Sequence, residues 1–328
     1  MSYKVVPVHS LSELWALRRE EPEAYLIAGG TDSIPRIHQG IEHHPLCALL
    51  DIPSLRELRR TEEEYVIGAG VTLAALAGLR EEPCIAAVVQ AAAKVASPQI
   101  RARGTVGGNV LQENRCIYFN QSVSWRREEC CYKLGGDRCY QYAGSGECVA
   151  LFQSDLAPAL MALCALAVLE SPRGKRELPL SELYLDRGRS NKALEKDEVL
   201  TALRVPRKSA VRSAYCRESV RAAIDFPLIS CAAAFAFDGA VVANARIVLG
   251  SADVRPARAE ESEQLLCGKT AEEIQKLLPQ AISLAQKKIM PLRDSRVDGP
   301  SRRALGETVI RKAILQCCEE SQASTVGI

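Results

Sequence analysis

Apolar runs of four or so residues alternate with amphipathic stretches through the first half of the chain. The runs at 3–6, 25–28, 47–50 and 65–68 are short and bounded by Pro, Gly or charged residues, which predicts strands. Pro7 is expected to close the first, and Ser10 with Glu13 three positions on forms a capping box that predicts a helix to about Arg19. A short helix is predicted over 34–39, an alanine-rich helical region over 73–94 closed by Pro98, and a buried apolar segment over 156–169. The second half changes character. Strands are predicted over 199–205, 210–217, 230–237 and 241–249, with Asp238-Gly239 as a hairpin turn, and amphipathic helices over 257–266, 271–288 and 301–318. Strand, glycine turn and helix in repeated order imply an α/β layer. The later sheet and helices imply a separate α+β domain starting near Val211, and the polar residues 321–328 a flexible tail.

At 328 residues the chain can bury a substantial core over two or three domains. Its 42 basic and 40 acidic residues nearly cancel, so composition gives no general attraction to nucleic acid or to anionic membranes. Residues 1–20 lack the apolar core of a secretory signal and no stretch is apolar enough to span a bilayer, so a cytoplasmic protein without membrane contact is expected. The thirteen cysteines are then expected as reduced thiols or metal ligands. Most of those outside the dense stretch at 116–148, such as Cys164 and Cys231, read as small buried hydrophobes.

Three polar elements interrupt the pattern where strands end. Ala28-Gly29-Gly30-Thr31-Asp32-Ser33 offers backbone N–H groups unobstructed by Cβ atoms, with hydroxyl donors beside them, as an anion cradle requires. It is neither a Walker loop nor a Rossmann turn, and read alone it is better explained as a tight strand-to-helix turn. Thr105-Val106-Gly107-Gly108-Asn109 is a second such turn, and a pair can converge on one diphosphate. In Ser154-Asp155-Leu156-Ala157-Pro158, Ser154 or Asp155 can cap the following helix or accept hydrogen bonds from sugar hydroxyls. Between the last two elements lie Cys116, Cys130, Cys131, Cys139 and Cys148, a soft donor set suited to iron–sulfur clusters, zinc or copper(I).

Together the three elements resemble the FAD-binding medium subunit of the molybdenum hydroxylase family, which includes xanthine dehydrogenase and carbon monoxide dehydrogenase. The resemblance covers nearly the whole chain, and Arg221 to Pro227 is similar to the family's lead-in to its C-terminal domain. It implies an α+β architecture: a p-cresol methylhydroxylase type FAD-binding domain of two α/β subdomains over residues 1–210, then a smaller α+β domain with an antiparallel sheet and helices over 211–320. It implies FAD held by Ile27, Ala28, Gly29, Gly30, Thr31, Asp32 and Ser33, by Thr105, Gly107, Gly108 and Asn109, and by Asp155, with Leu200, Val95 and Ala96 near the ring. Relatives place a lysine near the flavin where this chain has Tyr215-Cys216-Arg217. No acid–base dyad or nucleophile is expected, because the redox chemistry belongs to the cofactor.

The cysteine-rich stretch, at about 113–150, is an insertion relative to most such subunits and resembles that of the 4-hydroxybenzoyl-CoA reductase medium subunit, which binds a [4Fe–4S] cluster. That resemblance implies Cys116, Cys131, Cys139 and Cys148 as ligands, spaced by 15, 8 and 9 positions, with Cys130 spare. Tyr118, Phe119, Trp125, Tyr132, Tyr140 and Tyr142 are expected to shield the cluster. The function implied is an electron-transfer subunit, carrying FAD and one [4Fe–4S] cluster, of a molybdenum enzyme with a large molybdopterin subunit and a small subunit with two [2Fe–2S] clusters, assembled as a dimer of heterotrimers. In the reductase version electrons come from ferredoxin and remove a phenolic hydroxyl from an aromatic CoA thioester. The alternative is a flavin subunit of a xanthine, aldehyde or N-heterocycle dehydrogenase passing electrons to NAD or ferredoxin. A zinc-stabilised binding module is the alternative of another class.

Overall fold

A computed structural model describes residues 3–41, 43–80, 82–122, 125, 130–292 and 296–319. The expected tail at 321–328 lies outside the described residues, as does part of the insertion.

The first strand run and its helices build a small parallel layer: β1 (Lys4–Val8), α1 (Leu11–Glu20), β2 (Tyr25–Ile27), α2 (Ser33–His38) and β3 (Leu46–Leu50), with strand order β1-β3-β2. Pro7 does not close β1 but lies inside it, opposite Leu49. An edge strand tolerates this because one side of its backbone makes no ladder bonds. Ser10 caps α1 by accepting from Glu13 N, while the Glu13 carboxylate accepts from His9 N, one residue beyond the Ser10 N–H of the expected box.

A second, antiparallel sheet follows, built from β4 (Leu58–Arg60), β5 (Glu64–Gly68), β6 (Leu166–Ser171), β7 (Gly174–Pro179) and β8 (Val199–Pro206) in the order β4-β5-β8-β6-β7. The alanine-rich region is two helices, α3 (Leu73–Ala77) and α4 (Ala86–Lys94), because Gly78 caps the first and Pro83 interrupts the connection. Two one-turn helices, α5 (Pro98–Arg101) and α6 (Val106–Val110), lead to the insertion. The apolar segment at 156–169 divides into α7 (Leu156–Ala162) and the start of β6. Cys164 sits at the bend with φ 56° and is exposed, so it is not the buried hydrophobe expected, whereas Cys231 is fully buried.

The last sheet has the order β12-β11-β10-β9, from β9 (Val211–Glu218), β10 (Ile229–Asp238), β11 (Val241–Gly250) and β12 (Ala257–Arg258). Asp238 pairs with Val241 across the expected hairpin, with Gly239 at φ 59°. Helices α8 (Glu260–Leu266), α9 (Ala271–Gln286) and α10 (Gly299–Cys318) follow. Ala257 and Arg258, expected in a helix, pair with β11 instead, and Arg258 is held by the Glu263 carboxylate one turn into α8. Strand β10 is apolar at successive positions because both faces are covered. Cys231, Ala233 and Phe235 join the core beneath α9 and α10, while Ala232 and Ala234 join the core shared with α4, α7 and the five-stranded sheet.

Candidate functional site

The two glycine turns meet backbone to backbone. A Cβ at Gly29 would overlap the carbonyl oxygen of Arg103, and Gly104 packs against the Thr31 hydroxyl. Only glycine permits this approach, while Gly30 at φ 70° turns the chain from β2 into α2. The second turn is anchored to the core. Val106 N donates to Val71 O, and Gly107 N to Ala69 O, both within 2.9 Å. Ala69 N donates in turn to Thr201 O at 2.8 Å, so the turn is tied to β8 beside Leu200. At Thr201 the pairing of β6 with β8 shifts register. Thr105 accepts from Gly108 N at 3.1 Å and caps α6.

The third element joins them through Asn109. Its side-chain oxygen accepts from the Ser154 hydroxyl at 2.7 Å and from Leu156 N at 3.2 Å, and Ser154 accepts from Ala157 N at 3.0 Å. Ser154 is thus the cap of α7. Asp155 makes no cap bond; its carboxylate is wholly buried, accepting from Tyr215 OH at 2.6 Å and from Arg217 Nη1 at 3.0 and 3.3 Å. Burial pushes the Asp155 carboxyl up, against the opposing pull of Arg217 and Tyr215. Asp155 therefore has no open face for a sugar hydroxyl and joins α7 to β9.

Thr31 and Gly108 are exposed, and Ala28, Gly29, Gly30, Asp32, Ser33, Ala96 and Asn109 half-buried, so these residues present an accessible polar surface. Ile27 is buried against Ile37 and Cys47, and Leu200 lies in the main core at 2% exposure. Ala96, at φ 43°, accepts from Ile224 N at 3.2 Å and so touches the 221–227 segment, where Ile224 and Phe226 are exposed. Arg217 also donates to Asp225 O at 3.2 Å.

The insertion leaves and rejoins the fold through a bridge between Arg115 and Leu151. Cys116, Cys131, Cys139 and Cys148 line one cavity with Tyr118, Phe119, Tyr132, Lys133 and Tyr140. Cys130 is exposed, its carbonyl packed on Gly136. Trp125 is 82% exposed and Tyr142 50%, so these two do not wall the cavity. Burial pushes the Cys116 thiol up to about 11 and raises Cys148, which Lys133 opposes. The cavity holds about 10 Å³, the room of one water centre. Among the described residues no group of three or more His, Cys, Asp or Glu side chains is spaced to hold a metal ion. The donor set fits a thiolate-bound cluster in chemistry, and the loop has to widen to admit one.

Beside the cavity lies a buried polar strip that sequence reasoning missed. Lys133 Nζ donates to Glu113 at 2.8 Å and to Arg189 O at 2.9 Å, and burial with the charge of Lys133 lowers Lys192 to about 7, against Glu113. Lys192 donates to Gln112 O and Asn191 Oδ1, 4.3 Å above the Phe152 ring. No local motif marks these residues, because they come together only when residues 112 and 113, 133 and 189–192 meet in the fold. A separate cleft of about 590 Å³ lies away from the glycine turns, between Tyr142, Glu147 and Val149 and the Met290–Leu292 segment.

Residues 1–208 match the family profile described as the FAD binding domain in molybdopterin dehydrogenase. Residues 214–317 match that of the CO dehydrogenase flavoprotein C-terminal domain. The chain is 27% identical over 265 residues to the putative xanthine dehydrogenase FAD-binding subunit of Escherichia coli (strain K12), covering 78% of this chain and 76% of that one. It is 27% identical over 300 residues to the carbon monoxide dehydrogenase medium chain of Hydrogenophaga pseudoflava, covering 89% and 88%. With a solved structure of reconstituted CO dehydrogenase from Oligotropha carboxidovorans it shares its fold, at TM-score 0.77 and 23% identity over 97% of this chain and 98% of that one.

Proposed function

Because the chain belongs to the FAD-binding flavoprotein family of the molybdopterin dehydrogenases, we propose that it holds one FAD on the joined glycine turns and relays electrons inside a multi-subunit molybdenum hydroxylase. The observation that carries this is the convergence of the three motifs: Gly29 against Arg103, and Asn109 held by Ser154 and Leu156. Backbone N–H groups of residues 28–33 would take the diphosphate, because those of 106–109 in the second turn already bond within the fold; Ala96 would border the ring, whereas Leu200 is buried in the core. Asp155 acts behind the site, fixing Arg217 and the 221–227 segment. FAD when bound supplies one- and two-electron transfer. The chain's residues supply position and exclude water. The partners proposed are a large molybdopterin subunit and a small [2Fe–2S] subunit.

Relatives named for xanthine, aldehyde, carbon monoxide and nicotinate oxidation favour a hydroxylase flavin subunit passing electrons outward over the 4-hydroxybenzoyl-CoA reductase reading. One observation keeps an iron–sulfur centre, and with it the reductase and its ferredoxin donor, as a second reading. Four cysteines that are scattered in sequence line a single cavity, and Cys131 rather than Cys130 faces it. A zinc module is not favoured, since a single ion needs its donors closer together than any such group among the described residues.

Flavin, iron, acid-labile sulfide and zinc content of anaerobically purified protein tests both readings. FAD near one per chain is expected; its absence defeats the main reading. Four irons per chain, lost in Cys131→Ser and kept in Cys130→Ser, establish the second; iron-free wild type removes it.

A further inference from the structure

The glycine turns carry a difficulty for an anionic ligand. Their donors are partial charges on backbone N–H groups, and the ionised side chain they contribute is a carboxylate, Asp32. A diphosphate brought beside it needs a cation. Two arginines flank Asp32. Arg36 lies 3.7 Å from one carboxylate oxygen, is 4% exposed, and rests over the Phe119 ring at 5.6 Å, which ties it to the wall of the thiol cavity. Arg115 Nη2 donates to the other oxygen at 2.5 Å.

Arg115 is held as a binding group is held. Its backbone is fixed on both sides, N to Leu151 O at 2.7 Å and O to Leu151 N at 3.0 Å. Its guanidinium lies 4.1 Å from the Phe226 ring centroid, which orients the plane. Its side chain is 14% exposed, against 40% for Asp32, and its buried Nε has no hydrogen-bond partner among the described residues. A buried guanidinium donor without an acceptor is costly unless something else supplies one. With Arg36 and Arg115 against Asp32, the local balance is one positive charge, the sign a diphosphate requires.

We infer that Arg115 is a diphosphate-binding residue of this chain, the cation that offsets Asp32 and donates to the phosphate oxygens of a dinucleotide seated on the glycine turns. It rests on the flavin reading above and goes further, since Arg115 lies outside all three motifs. It also makes the neck of the insertion part of the flavin site, because Cys116 follows on the same fixed backbone.

The full chain freed of flavin, titrated with FAD and separately with riboflavin, tests this. Arg115→Met is expected to raise the Kd for FAD by about 10- to 100-fold, the loss of a charged hydrogen bond, and to change that for riboflavin less than about twofold. Arg115→Lys is expected to recover most of the FAD affinity. Added salt should weaken FAD binding more steeply in wild type than in Arg115→Met. Equal losses for FAD and riboflavin, unchanged FAD affinity, or equal salt slopes overturn the inference. Wild type that fails to bind FAD overturns the flavin reading instead.

Discussion

Lys192 shows how much a single side chain can depend on its surroundings. An ammonium nearly removed from water, above Phe152 and Tyr184 and near a second cation, Lys133, loses its proton near pH 7, with Glu113 the opposing charge. The unfolded chain keeps that proton to about pH 10.4. Between these values the unfolded state binds more protons, so the contribution of Lys192 to stability rises with pH from about 7 toward about 10, by up to ~1.4 kcal/mol per pH unit. Urea unfolding across that range should rise more steeply for wild type than for Lys192→Met; parallel profiles would refute the assignment. Nothing near position 192 in sequence announces this, since Lys133 and Glu113 reach it from 59 and 79 positions away.

Among elements, the glycine turns were the most legible, because both the requirement and its signature are local. A β-strand that must turn sharply at a ligand surface is written as adjacent glycines with hydroxyl residues. What sequence left open was whether the two turns meet. They do, and Gly29→Ala is expected to destabilise the chain by about 1–3 kcal/mol, since its Cβ would force apart the Arg103 backbone. Gly146→Ala, where the added methyl meets nothing within 4 Å, should be tolerated. Denaturant midpoints and retained flavin check both; equal effects would mean the contact between the turns is unimportant. Boundaries were less legible where a uniform run hides two elements. The alanine-rich region at 73–94 broke at Gly78 and Pro83, and the apolar run at 156–169 split into helix and strand at Cys164.

At the scale of the molecule, strands β9 and β10 carry both cores, and the Asp155–Arg217 pair ties the FAD-binding half to the C-terminal half. Arg217→Met would strand a fully buried carboxylate, at a cost of about 3–5 kcal/mol at neutral pH. The loss should shrink as pH falls, because the buried carboxyl, raised by burial above the usual carboxylate range, takes up a proton and no longer leaves a stranded charge. Chemical denaturation at pH 4.5 and 7.5 tests this; a pH-independent loss would show that Arg217 acts through packing instead.

The amino-acid sequence alone determined most of the strands and helices, the three polar motifs and the set of thiols, because periodicity, turn chemistry and side-chain softness are properties of neighbouring residues. Tertiary structure decided which of these meet. It joined the glycine turns, turned Asp155 inward to Tyr215 and Arg217, faced Cys131 and not Cys130 into the cavity, and brought Arg115 to Asp32 across 83 positions. Those outcomes depend on burial and on charges distant in the chain, which close packing alone assembles.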